Sequence, residues 1–252
     1  MKTINCLSLL FAPLVLTVSV AHAATTYNRT WVAHTGKDSN NCSLIAPCAT
    51  FQGALSKTKP GGEVDAVDSA DYGAVAITFP VTIDGGAAGA RIGSVKPQAA
   101  CSNVYAAICV AVPISAGPVI LRNLSLNLVG ASTADGVNIT ANAVLENVKV
   151  TGLSRCIVAA NPGIVDVRDI ALTSCSEAAI YAYGTTITVD NALITNSGWA
   201  ISVLGGGVVY LSESTIFNMY LGFFQASGSN LVVSFGNNRL FGNQAPTQIP
   251  LQ

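Results

Sequence analysis

Charge is what this chain has least of. Lysine, arginine, aspartate and glutamate make up 10% of its 252 residues, where a quarter is usual. With 12 basic and 13 acidic residues the net charge is −1. No basic surface is left to neutralise a phosphate backbone, so nucleic acid drops out as a partner. Histidine occurs only at His22 and His34, which supply no zinc-ligand pattern, and no metal site is expected. Past residue 23 no apolar run is long enough to cross a membrane. Disorder is excluded as well, because half the residues are hydrophobic and such a chain collapses around a core.

What is present begins with an export leader. Lys2 gives the positive start, Leu7 to Val20 is interrupted only by small residues and Pro13, and Ala21-His22-Ala23 is a small-x-small cleavage site. Residues 1–23 are expected to be removed, which leaves a secreted or periplasmic chain with no transmembrane segment. Cys6 leaves with the leader, and Cys42, Cys48, Cys101, Cys109, Cys156 and Cys175 remain. An even number in an exported chain points to disulfides. Six cysteines allow 15 pairings, and the spacings favour 42–48, 101–109 and 156–175.

An internal repeat sets the architecture. Leu121-Arg122-Asn123-Leu124-Ser125-Leu126 recurs as Leu145 to Val150, Val167 to Leu172, Val189 to Ile194, Leu211 to Ile216 and Phe235 to Leu240. The third positions are 24, 22, 22, 22 and 24 residues apart. Ahead of that position apolar residues alternate, as in Val165/Val167 and Ile187/Val189, so a strand there has one face inside. Beyond it the phase slips, which means the chain turns a corner. Asparagine suits a corner because it tolerates left-handed torsions. Stacked coil upon coil, Asn123, Asn147, Asp169 and Asn191 are expected to form a side-chain ladder inside the turn, with Asn196 and Asn218 as a second, shorter stack. A third strand opens each coil, as in 137–139, 157–159, 180–182 and 201–203.

Three short strands per turn predict an all-β, right-handed parallel β-helix solenoid of about seven coils. A leucine-rich repeat of this period would need a helix that is missing here. Residues 24–62 are expected to cap the first coil. Thr50 is placed to N-cap a short helix that buries Phe51, Ala54 and Leu55, and Pro60-Gly61-Gly62 ends it. The solenoid is assigned to residues 63–244, and 245–252 to an extended tail.

The cysteine-stapled start, Pro47-Cys48-Ala49-Thr50-Phe51, the short helix, Gly61-Gly62-Glu63-Val64, Tyr72-Gly73 and Thr82-Ile83-Asp84-Gly85 together resemble secreted bacterial proteins of the pectate-lyase-like β-helix superfamily, and among them small members without a characterised activity. The resemblance covers essentially the whole mature chain. It implies the fold strongly and the activity weakly, since this fold hosts lyases, hydrolases, adhesins and inert rods.

The superfamily's lyases need carboxylates for calcium on the outer face of the opening sheet, together with an arginine or lysine base. Here that face reads Asn138, Thr140, Val158, Ala160, Tyr181, Tyr183, Ser202 and Leu204, without an acid. Asp135, Arg155 and Glu177, at the turn before it, are the one arrangement that fits a lyase. They fit an ion pair as well, and a paired arginine stays protonated. Arg122, Glu146, Arg168 and Asp190 alternate in sign next to the corner and are expected to pair with one another. Large apolar side chains (Tyr181, Tyr183, Leu204, Tyr210, Phe223, Phe224 and Trp199) are too many for a narrow core, and some are expected to face outward.

The expected function is an exported, non-catalytic module that binds a polysaccharide or an envelope surface through Tyr181, Tyr183, Leu204 and Phe224, with no cofactor. The alternatives are a polysaccharide lyase with calcium around Arg155, and a structural or adhesin-like rod.

Overall fold

The computed structural model describes residues 26–242 except 88, 161–162 and 226–228, and the backbone alone at 129–132. The expected leader at 1–23 and the tail at 245–252 lie outside the described residues. Within them the chain winds as a parallel β-solenoid of about eight turns.

The strands that precede the corner form one continuous stack: 29–32, 62–66, 81–84, 119–122, 143–146, 165–168, 187–190, 208–212 and 231–234. Nine rungs make about eight turns, one more than the seven coils that the repeat suggests. The early coils carry insertions, so their period is invisible in the sequence. One insertion, Lys96–Gln98, pairs antiparallel with the strand Val104–Val110 beside the Cys101–Cys109 bridge, whose α-carbons are 6.0 Å apart.

Parallel registration places like on like. Val119, Ala143, Val165, Ile187, Val209 and Val232 form one inward column, and Leu121, Leu145, Val167, Val189 and Leu211 the next. All are buried, and a fully buried aliphatic side chain of this size stabilises the fold by about 1.5–3 kcal/mol relative to exposure.

The corner follows the expected conformation. Asn123, Asn147, Asp169, Asn191 and Glu213 have φ of 58°, 52°, 55°, 50° and 48°. The ladder forms as two runs, not one. Asn147 Nδ2 donates to Asn123 Oδ1 at 2.8 Å, and Asn123 Nδ2 donates to Asp84 Oδ1 at 2.8 Å. Asn191 Nδ2 donates to Asp169 Oδ1 at 2.7 Å. Each amide donates to the coil before it, and a carboxylate has no proton to pass on, so the chain of bonds breaks at Asp169. Nor does the ladder lie inside the turn: Asn147, Asp169 and Asn191 are exposed. The shorter stack is present as well, with Asn218 Nδ2 bonded to Asn196 Oδ1 at 2.5 Å.

At the N-terminal end the helix Phe51–Leu55 buries Phe51, Ala54 and Leu55, and Thr50 Oγ1 accepts from Gly53 N at 2.9 Å. Asp38 fixes this cap by accepting from Ala49 N, Thr50 N and Thr50 Oγ1 at 2.8–3.0 Å. The Cys42–Cys48 bridge holds the adjoining loop, its α-carbons 4.7 Å apart. Tyr27–Val32 is itself a rung, stacked in parallel on Thr58–Ala66. The Cys156–Cys175 bridge joins a strand to the connection before the next coil, with α-carbons 5.7 Å apart.

Candidate functional site

The opening sheet places its outer residues in columns that run along the solenoid axis. Asn138, Val158, Tyr181, Ser202 and Phe224 form one column, and Ala160, Tyr183 and Leu204 the next. Tyr183 is 49% exposed; Tyr181, Leu204 and Phe224 are half-buried. The four expected binding residues therefore share one face. Two other aromatics leave it. Phe223 pairs with Ile201 and is buried at 4% exposure, so it belongs to the core, because adjacent strand residues point to opposite faces. Tyr210 lies on the sheet before the corner and stacks on Phe235 at 6.2 Å.

Arg155, Asp135 and Glu177 meet at the edge of this face. Arg155 Nε and Nη2 donate to the two oxygens of Asp135 at 2.8 and 3.1 Å, and Glu177 lies 3.9 Å from Nε. Asp135, 1% exposed, also accepts from Asn138 Nδ2 at 2.8 Å. The guanidinium sits over the Tyr181 ring, 5.1 Å from its centroid. Burial works against the Arg155 charge, but the Asp135 hydrogen bond and the charges of Asp135 and Glu177 outweigh it and hold the proton more firmly than usual. Such a group supports charge and position; it does not abstract protons at neutral pH. One coil beyond Tyr181, Trp199 packs on Phe224 with centroids 5.2 Å apart and planes tilted by 53°.

The residues do not fit calcium here. The cation takes six to eight oxygen ligands, whereas Asp135 is spent on Arg155 and Asn138, and Glu177 accepts from Ser154 Oγ at 3.2 Å. A second acidic group, Glu63, Asp65 and Asp84, brings its oxygens within 4.8 Å of one another on the sheet before the corner. Two guanidinium groups already pair with all three. Arg122 bonds Glu63 and Asp84 at 2.7 and 2.8 Å, and Arg29 bonds Asp65. This network changes the expected pairing of Arg122, Glu146, Arg168 and Asp190. They do stand in one column, but Arg122 turns back to the earlier coils. Arg168 approaches Glu146 only to 3.9 Å, and Asp190 accepts from Ser212 Oγ at 2.5 Å.

Two further groupings leave no mark in the sequence. His34 Nδ1 lies 2.7 Å from Asp68, whose carboxylate also accepts from the buried Tyr72 hydroxyl at 2.5 Å. The partners come from separate loops, and the spacing of 34 residues matches no repeat. Adjoining clefts of about 330 and 420 Å³ on the sheet after the corner share Arg91 and Ser125. Arg91, Ser125 and Lys149 form one column there, which becomes visible only once the register is known.

No protein-family model matches the chain, and no curated protein sequence matches it.

Proposed function

We propose that the chain is an exported module that binds a polysaccharide through the outer face of its opening sheet. The observation that carries this is the pair of braced aromatic platforms, Tyr181 held under Arg155 and Phe224 held against Trp199, on a rigid parallel sheet. Aromatic faces stack on the apolar faces of sugar rings, and nearby polar groups take up the hydroxyls. Glu177, with its side chain 50% exposed, and Tyr183 stand beside the platforms to do so. The resemblance to pectate-lyase-like proteins supports a carbohydrate ligand. A lyase would need a base, and Arg155 is protonated and doubly engaged. An inert rod would gain nothing from braced rings on one face.

The test is retention on insoluble plant and bacterial wall polysaccharides, scored together with the appearance of unsaturated sugar ends. Retention without such ends is expected, and Tyr181→Leu is expected to weaken it about tenfold, as for a central anchor, at an unchanged melting temperature. Release of unsaturated ends, or retention that is indifferent to Tyr181, would overturn the proposal.

A further inference from the structure

The two platforms are copies of one arrangement. Arg155, Ala178 and Trp199 occupy equivalent positions in successive coils, and so do Tyr181, Ser202 and Phe224. In each pair the first residue packs on an aromatic one coil further on: Arg155 on Tyr181, then Trp199 on Phe224. Translating the first pair by two coils along the axis gives the second. Between them the column holds only the small Ser202, and before Tyr181 it holds Val158. Flat groups thus recur every second coil, and two strand spacings come to about 9.6 Å.

We infer that the ligand is a neutral, extended β-1,4-linked glycan lying parallel to the solenoid axis, with every second sugar stacked on a platform; this rests on the polysaccharide-binding proposal above. In a flat β-1,4-linked chain successive rings are related by a half-turn. The same ring face therefore returns at every second sugar, a repeat close to two strand spacings. Chains of α-1,4-glucan and β-1,3-glucan coil, and the diaxial linkage of α-1,4-galacturonan staggers its rings, so all three carry successive rings off a common plane. Local charge selects against an acidic polymer: the single positive charge of Arg155 stands among the two negative charges of Asp135 and Glu177. Because a solenoid repeats along its axis, it offers this spacing in only that direction.

The experiment measures binding of β-1,4-linked gluco- and xylo-oligosaccharides from disaccharide to hexasaccharide, beside α-1,4-galacturonan, α-1,4-glucan and β-1,3-glucan hexamers. Titration calorimetry on the full chain is the readout. The β-1,4 hexamers are expected to bind at least tenfold tighter than the other hexamers. Affinity is expected to rise steeply once the oligomer reaches three sugars, the shortest length that spans both platforms. Tyr181→Leu and Phe224→Leu, which keep apolar volume but remove the flat ring, are each expected to lower hexamer affinity about tenfold and to abolish the step with length. Preference for the galacturonan, the α-glucan or the β-1,3-glucan, with Tyr181→Leu still weakening binding, overturns the linkage and orientation and leaves the binding proposal standing. Absence of binding to every oligomer and to every wall polysaccharide overturns both. Binding of β-1,4 oligomers without a length step overturns the two-platform geometry.

Discussion

The two ends of the solenoid are held by different means. The first rungs are irregular in length and rely on specific polar and covalent ties: the Cys42–Cys48 and Cys101–Cys109 bridges, the Arg29, Glu63, Asp65, Asp84 and Arg122 network, and the Asp38 clasp on the helix cap. The later rungs repeat at 22–24 residues and rely mainly on stacked aliphatic columns and single-residue corners, with the Cys156–Cys175 bridge as a covalent tie. The last strand among the described residues, Arg239–Phe241, is exposed throughout, with Phe241 at 59%. Where the period is regular, each coil templates the next and needs few individual ties. Where insertions break the period, bonds between residues 34 to 59 apart replace it.

The largest expected effect of a substitution sits in the irregular half. Gly85 begins the turn that does the work of a corner in its coil, and a Cβ there would lie 1.8 Å from the carbonyl oxygen of Asn123. That contact is with backbone of the next rung, which cannot move without breaking the Gly85 N to Arg122 O bond of 2.9 Å. Gly85→Ala is expected to cost about 3 kcal/mol or more. Its counterpart in the regular half is Gly236, with φ of 83° and, among the described residues, nothing within 4 Å of a Cβ. Gly236→Ala should therefore cost only the left-handed torsion, about 1 kcal/mol. Denaturant melts of the two variants measure the difference, and equal losses would break the comparison.

Acid should act on the same irregular half. Burial pushes Asp84 upward, but the Asn123 amide, the Gly86 N–H and Arg122 outweigh it and hold the carboxyl below its ordinary value of 3.8. For Asp68, the Tyr72 hydroxyl and His34 likewise outweigh burial. Both groups have a lower pKa folded than unfolded. Their stabilisation is complete above the unfolded value and is lost as pH falls through the folded one. Between pH 5 and pH 3 the melting temperature is expected to drop by about 2–4 °C. Asp84→Asn should flatten part of this drop, since it removes one of the two titrating groups. Amide exchange at pH 3 should show the rungs at 29–32, 63–66 and 81–84 opening before those at 187–190 and 209–212.

The same division explains what could be read from the sequence. Corners, columns and the polar ladder were legible because the repeat multiplies each signal by the number of coils, and the three bridges followed from spacing. The aromatic face of the opening sheet was legible as a set of residues but not as a geometry. That Phe224 points outward and Phe223 inward depends on a register shift between Trp199 and Ile201, which hydrophobic periodicity cannot locate. The packing of Arg155 over Tyr181 was hidden for a related reason: the two belong to different coils, and only the stacking of one coil on the next brings them together. The His34–Asp68 pair and the acidic network could not be seen at all, because their partners are set by loop lengths rather than by period.

The smallest expected effect would sharpen the comparison from the regular side. The ladder stops at Asp169, which accepts from Asn191 but has no N–H to offer Asn147. Asp84 plays the same accepting part at the head of the other run, where Arg122 bonds its second oxygen. In the irregular half, then, the terminating carboxylate is tied to a cation; at Asp169 no ion pair occurs among the described residues. Asp169→Asn keeps the acceptor for Asn191, tolerates the φ of 55°, and supplies a donor aimed at Asn147. The two runs would then join into one ladder from Asp84 to Asn191. Because the site is exposed, a new amide–amide bond is expected to stabilise by about 0.5–1 kcal/mol, seen as a small rise in the denaturation midpoint at an unchanged slope. The equivalent change at Asp84 should destabilise, because there the carboxylate charge is in use. If both substitutions moved stability in the same direction, the two halves would not differ in the way described.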